Sequence, residues 1–260
     1  MSVHVLQLTD LHIFAEPDAK LKGIPTRETF DETLSFIRQQ RLEFDAVIIT
    51  GDLTHDEQRE TYLAVRERLE PWLSICQIVP GNHDERELIR EIFPEIVPQT
   101  GPLTFSIQRE NWRLIGLDTH SPGEVPGVID ESQIAWLDEE LKRSADQMVG
   151  VFFHHPPIPV NSPWMDRIAL QNPEPLLDVL SAHSHIQFVC TGHVHHESQG
   201  EIGTAAFYTT PSTGIQFNPN GDVPTFDAAP PGFRTFQLNQ DGYRTEVHRL
   251  AEARYVPIEE

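Results

Sequence analysis

Three histidines lie within six residues, Thr191 to His196, directly after the apolar run "IQFVC". Imidazole at the end of a buried strand serves as a metal ligand, a pH-sensitive group or plain surface polarity. Four other stretches bear on the choice. Asp10 and His12 follow one apolar run, Asp52 opens "GDLTHD" after a second, and Asn82, His83 and Asp84 follow a third. His154 and His155 end a fourth in "HHPP". Taken singly, each has a structural explanation as a turn, cap or strand-end residue. As an ordered set they repeat one chemistry, the oxygen and nitrogen donors that hold Mn, Fe or Zn. No thiolate joins them, because Cys190 lies inside its run; it and Cys76 read as reduced core thiols.

The elements that must position these residues are short β-rich runs alternating with amphipathic segments. Strands are predicted at 3–9, 44–50, 74–80, 112–118, 148–154 and 186–192, mostly continuous Val, Ile, Leu and Phe as in strands covered on both faces. Helices are predicted where apolar residues recur at intervals of three and four: Phe30, Leu34, Ile37; Tyr62, Val65, Leu69; and Ile134, Leu137, Leu141. The third begins at Asp130 with Gln133 as its capping partner. A fourth, "NPEPLLDVL", is given Asn172 as its N-cap and Pro173 in its first turn. Beyond Gly203 the chain turns β-rich, ending in a hairpin around Asp241-Gly242. The connector "FNPNGDVPTFDAAPPG" reads as a loop. From the residues alone this is one α/β sheet with a trailing hairpin. The carboxyl ends of such strands converge on one crevice, so donors distant in sequence meet there.

Composition narrows the function. The 260 residues carry 19 Lys and Arg against 40 Asp and Glu, a net charge of −21. Such a surface repels nucleic acid polymers. No run is long and apolar enough for a membrane span, and "MSVHVLQLTDLH" lacks the form of a secretory signal, so a cytoplasmic protein is expected. A homodimer is compatible with the sequence.

In order and content, Asp10-x-His12, Gly51-Asp52, Gly81-Asn82-His83-Asp84, His154-His155-Pro156 and Gly192-His193-Val194-His195 resemble the calcineurin-like metallophosphoesterases. The resemblance implies a four-layered α-β-β-α sandwich of two mixed sheets flanked by helices. It implies one domain over 1–260, with the β-rich part 203–260 completing the second sheet. It also implies two divalent or trivalent ions, Fe or Mn first and Zn next. One ion is assigned to Asp10, His12, Asp52 and His195, the other to Asp52, Asn82, His154 and His193, with Asp52 bridging. His155 is left in a supporting role. His193 and His195 are expected to reach neighbouring ions because alternate residues of an extended segment share a face; His196 faces away.

A narrower resemblance, to the class III cyclic nucleotide phosphodiesterases, lies in "HIFAEPDAKLKGIPTRETF", "PWMDRIALQN", "PSTGIQF" and "APPGFR". It implies hydrolysis of cyclic AMP to 5′-AMP. Two ions roughly 3.5–4 Å apart clamp a phosphodiester and acidify a bridging water, whose hydroxide attacks phosphorus in line. Asp52, Asn82 and His83 are the expected catalytic residues: Asn82 neutralises phosphoryl charge, and His83 stabilises a phosphoryl oxygen or protonates the leaving alkoxide. Besides Asn82 and His83, the substrate pocket is expected to use Asp166, Asn172, Ser212 and Thr213. Alternatives are hydrolysis of other small diesters such as glycerophosphodiesters, a nuclease or phosphoprotein phosphatase, and a non-catalytic scaffold.

Overall fold

The structure is a computed structural model that describes residues 2–40 and 43–258. In chain order its first half contains β1 (Val3–Leu8), α1 (Thr26–Gln39), β2 (Ala46–Thr50), α2 (Arg59–Leu69), β3 (Cys76–Val79), α3 (Arg86–Ile92), β4 (Phe105–Arg109) and β5 (Trp112–Gly116). Then follow α4 (Glu131–Arg143), β6 (Met148–Phe153), α5 (Glu174–Ala182), β7 (Ile186–Thr191), β8 (Gln199–Ile202), β9 (Ala205–Thr209), β10 (Gln216–Phe217), β11 (Phe226–Asp227), β12 (Gly232–Asn239) and β13 (Gly242–Arg249).

The strands form two large mixed sheets, of order β13-β12-β1-β2-β3 and β4-β5-β6-β7-β9-β8, and a small ribbon β10-β11. This replaces the one-sheet reading of the residues and agrees with the architecture implied by the resemblance. Alternation along the central strands explains how both faces of each sheet are covered there. On β1 and β2, Val3, Val5, Ala46 and Ile48 turn inward to meet Trp112, Phe152 and Phe188 of the other sheet. Leu6, Leu8, Val47 and Ile49 turn outward onto Phe30, Leu34, Tyr62 and Ile89 of α1, α2 and α3. Val149, Val151, Phe153 and Val189 do the same for the second sheet, against Leu137, Leu141, Leu176 and Leu180 of α4 and α5. Three apolar interfaces thus separate four layers, helix, sheet, sheet, helix. The central strands of the two sheets have no polar face to spare, so there chemistry is confined to strand ends. The outer face of β12 and β13, by contrast, is polar, with Gln237, Arg244 and Glu246 exposed. The segment after Gly203 divides between the sheets: β9 pairs with β7 and β8, while β12 pairs with β1 and β13.

Local signals had mixed outcomes. Asp130 caps α4 by accepting from Gln133 N. The strand expected at 74–80 is shorter, because Pro71 opens a 3₁₀ turn over Glu70–Ile75. Elements α3, β4 and β8 have too short or too polar a pattern to stand out in sequence. Asn172 does not cap α5; its amide accepts from Ile129 N at 3.0 Å and donates to Ile129 O at 2.7 Å, and Pro173 holds the cap position.

One ion pair ties the two layers together at the site end. Arg86, at the start of α3, grips Asp118 after β5 with two bonds of 2.7 and 2.8 Å and donates to His120 O at 2.6 Å. Asp118 is fully buried. Arg86→Ala would strand that carboxylate without its counter-charge, and is expected to cost about 3 kcal/mol of stability, read as a lower urea midpoint with unchanged slope.

Candidate metal centre

The loops after β1, β2, β3, β6 and β7 come together at one end of the sandwich. Asp10 N donates to Gly51 O at 3.0 Å and His12 N to Asp52 O at 2.9 Å, which stitches the first two loops into register. Asp10, His12, Asp52, His193 and His195 all hold positive φ, between 45° and 69°. Left-handed backbone costs a non-glycine residue of order 1 kcal/mol, and its clustering at one spot marks a functional site. Contrary to the alternate-face expectation, His193 and His195 are not on an extended segment. The chain winds tightly there, with Val194 N donating to Gly192 O at 2.8 Å, and the left-handed steps aim both rings inward. The winding leaves no room beside it: a Cβ on Gly81 would overlap Asp52 Oδ1, and one on Gly192 would overlap Thr9 Oγ1.

Two groups of donors result, joined at Asp52. In the first, His195 Nε2 lies 3.2 Å from Asp10 Oδ1 and 3.1 Å from His12 Nε2, and His12 Nε2 lies 3.4 Å from Asp52 Oδ2. In the second, Asn82 Oδ1 lies 3.0 Å from His193 Nδ1 and 3.2 Å from His154 Nε2, which are 3.3 Å apart. Asp52 Oδ2 is also 3.5 Å from His154 Nε2, so one oxygen faces both groups. The other, Oδ1, accepts from His83 N at 2.8 Å.

Which lone pairs face inward follows from the outward bonds. His154 Nδ1 donates to Thr50 O at 2.7 Å, His193 Nε2 to Ile168 O at 3.1 Å and His195 Nδ1 to Ile215 O at 2.8 Å. A neutral imidazole has one proton, so in that state the inward nitrogens carry lone pairs; His154, whose imidazole is raised, first gives up an inward proton. Burial holds His12 well below the ordinary imidazole value, and burial followed by His154 pushes His193 down to about 3. Burial alone would raise Asp52, but His154 and then His12 outweigh it and hold the carboxyl well below its usual range. Lone pairs of imidazoles, an amide and two buried carboxylates converging at these distances repel one another unless positive charge lies between them. The donor set is nitrogen and oxygen throughout, suited to Mn, Fe or Zn; Asp10, His12, Asp52 and His195 together could hold one cation.

His83 lines the cleft, its ring stacked on His55 with centroids 4.6 Å apart. His155 has both nitrogens engaged, by Thr119 Oγ1 at 2.8 Å and Val125 O at 3.0 Å, so it supports the loop. Asp84 is buried and accepts from Gly81 N, Leu53 N and Tyr62 Oη, shaping the loop that carries Asn82. Asp166, Asn172, Ser212 and Thr213 do not line the cleft. Asp166 accepts from Val160 N within its own loop, and Asn172 serves Ile129. Ser212 Oγ donates to Asp10 O at 2.6 Å from behind, and Thr213 is fully buried. His196 is turned away and bonds Val194 O.

The cleft over the donors has a volume of about 280 Å³. Three features of it escaped the sequence reading. His55, three residues after Asp52, places Nδ1 3.2 Å from His12 Nδ1. Phe217 and Phe226, on the ribbon β10-β11, form an apolar wall with Trp164, and Phe217 lies flat on His195 at 4.1 Å. Two aromatics in an otherwise polar connector were the available signal. Lys22 sits at the rim in a two-residue turn with Gly23, both at positive φ, closed by Leu21 N to Ile24 O and Ile24 N to Leu21 O at 2.9 Å.

Known proteins share this arrangement of sequence and fold. The calcineurin-like phosphoesterase family profile matches residues 3–197. A 3′,5′-cyclic adenosine monophosphate phosphodiesterase from Escherichia coli is 33% identical over 256 residues, 98% of this chain and 92% of that protein. A 3′,5′-cyclic-nucleotide phosphodiesterase from a Nostoc species is 32% identical over 266 residues, 100% of this chain and 96% of that protein. A solved dimetal phosphatase from Danio rerio has a TM-score of 0.72 at 18% identity, covering 96% of this chain and 97% of that one, a likeness of fold.

Proposed function

The chain belongs to the calcineurin-like phosphoesterase family, and on that premise we propose that it is a two-metal phosphodiesterase that hydrolyses 3′,5′-cyclic nucleotides, cyclic AMP to 5′-AMP. The observation that carries the reading is the pairing of two donor groups sharing Asp52 Oδ2 with an aromatic wall across one small cleft. Asp10, His12, Asp52 and His195 would hold one ion, and Asp52, Asn82, His154 and His193 the other. Bound there, divalent ions supply Lewis-acid charge to a phosphoryl oxygen and acidify water at neutral pH.

The chain's own residues do the rest. Phe217 and Phe226 offer flat faces to a nucleobase, a class of contact worth about 1–3 kcal/mol per base. Asn82 holds an amide beside the phosphoryl position. No side chain or carbonyl bonds the ring nitrogens of His83 among the described residues, so the ring is available to deliver a proton to the departing 3′ oxygen. Among those residues Lys22 is the lone Lys or Arg lining the cleft, and it draws an anion toward a chain of strongly negative charge. No helix among the described residues is long and apolar enough to cross a membrane.

Cyclic AMP should be turned over in preference to glycerophosphoethanolamine, which has no base to stack. Phe226→Ala, which leaves the face of His195 covered, is expected to raise KM for cyclic AMP about tenfold with little change for the glycerol diester. Equal loss on both substrates would remove the base from the reading.

Metal loading should depend on pH. Burial opposes charge on His154, but Asp52 and then Asp10 overcome it and push the imidazole up to about 9. Its value is raised, so below about pH 9 an arriving cation displaces a proton. Affinity therefore falls with falling pH, by up to about tenfold per unit. Equilibrium dialysis of Mn²⁺ between about pH 6 and 8 checks this; a flat profile contradicts it.

A further inference from the structure

The four imidazoles of the two donor groups are not anchored alike. His154, His193 and His195 each donate outward to a main-chain carbonyl, of Thr50, Ile168 and Ile215. Among the described residues His12 has no such carbonyl. Its inward Nε2 faces His195 Nε2 at 3.1 Å and Asp52 Oδ2 at 3.4 Å, while its outward Nδ1 meets Nδ1 of the His55 side chain at 3.2 Å.

The direction of that last bond is forced once a cation sits at His12 Nε2, and here the inference rests on the two-metal reading. The Nε2 lone pair is then committed to the cation, so the one proton of neutral His12 is on Nδ1, and His55 Nδ1 accepts it. We propose that His55 is a positioning residue of the metal centre: by accepting from His12 Nδ1–H it fixes the tautomer and ring orientation in which His12 serves one of the two ions. Carbonyls of the main chain perform this task for the other three rings.

His55 is built to hold still. Its N–H donates to Ile13 O at 2.9 Å, and its ring is packed between Phe14, 4.9 Å away, and His83, 4.6 Å away and nearly parallel. With Nδ1 accepting, the proton of His55 is on Nε2. The same side chain thus joins the metal ligand His12 to His83. A partner that is a side chain, unlike a carbonyl, can be removed by substitution, so the ion at His12 is singled out as the one a point change can loosen.

Two variants separate acceptance from packing. His55→Phe keeps a ring between Phe14 and His83 but has no acceptor. His55→Asn puts an amide oxygen as many bonds from Cα as Nδ1 was, and can accept. Mn²⁺ binding is measured by equilibrium dialysis on the full chain. Wild type is expected to bind two ions; His55→Phe is expected to weaken one of them about 10- to 100-fold and leave the other unchanged. His55→Asn is expected to restore that ion to within about threefold. Unchanged affinity for both ions in His55→Phe overturns the proposal, as does His55→Asn binding as weakly as His55→Phe. A wild-type chain that fails to bind two ions overturns the two-metal reading and this proposal together.

Discussion

Asp52→Asn is expected to lower kcat on cyclic AMP by about 10³-fold or more and to release at least one of two bound ions. The substitution is chosen because it keeps the loop. An amide oxygen can still accept from His83 N, as Oδ1 does at 2.8 Å. What changes is the other atom. Oδ2, which faces His12 Nε2 at 3.4 Å and His154 Nε2 at 3.5 Å, becomes an NH₂ with protons in place of lone pairs. Both donor groups lose the oxygen they share, and a negative charge leaves the centre of a buried cluster. The several kcal/mol that an ion contributes to transition-state stabilisation then weaken, at about 1.4 kcal/mol per factor of ten. Metal content by atomic emission, measured beside turnover, checks it. A variant that keeps two ions and more than a tenth of wild-type kcat would mean that Asp52 does not bridge.

His83→Ala is expected to behave differently, losing about 10³-fold in kcat with both ions retained. The ring belongs to neither donor group; it lies on the cleft against His55 and 5.1 Å from the His12 ring. A positioned proton donor contributes roughly 10²–10⁴-fold. The size of the loss should depend on the leaving group. The 3′ oxygen of a cyclic nucleotide departs as an alkoxide that needs a proton, whereas a nitrophenolate does not. With a nitrophenyl diester the loss should shrink below about tenfold. Equal losses on the two substrates would instead make His83 a stabiliser of the phosphoryl oxygen.

Much of this site was legible because its donors close apolar runs. Asp10, Asp52, Asn82, His154 and His193 each end a stretch of Val, Ile, Leu or Phe, and strands buried on both faces can put chemistry only at their ends. The division into two sheets was not legible from the runs themselves. Val5 and Leu6 are equally apolar, and nothing local says that one faces the second sheet and the other a helix. Asn172 shows a local rule losing to a distant partner, its amide taken by Ile129 and not by the helix it precedes. The left-handed turns at His193 and His195 break the strand-like alternation that the sequence implied. His55 was hidden because its proposed role depends on His12, 43 positions away, whose outward Nδ1 differs from those of the other three rings in meeting no carbonyl among the described residues.

In the proposed function, two ions held by these donors make this cleft a cyclic nucleotide phosphodiesterase. This is tested most directly by incubating chelated protein with 3′,5′-cyclic AMP, then adding Mn²⁺ in steps while following the product by phosphorus NMR. No reaction is expected before metal, and 5′-AMP is expected as sole product at a rate that reaches its plateau at two ions per chain. Hydrolysis by the chelated protein, or two ions bound with cyclic AMP left intact, would contradict it.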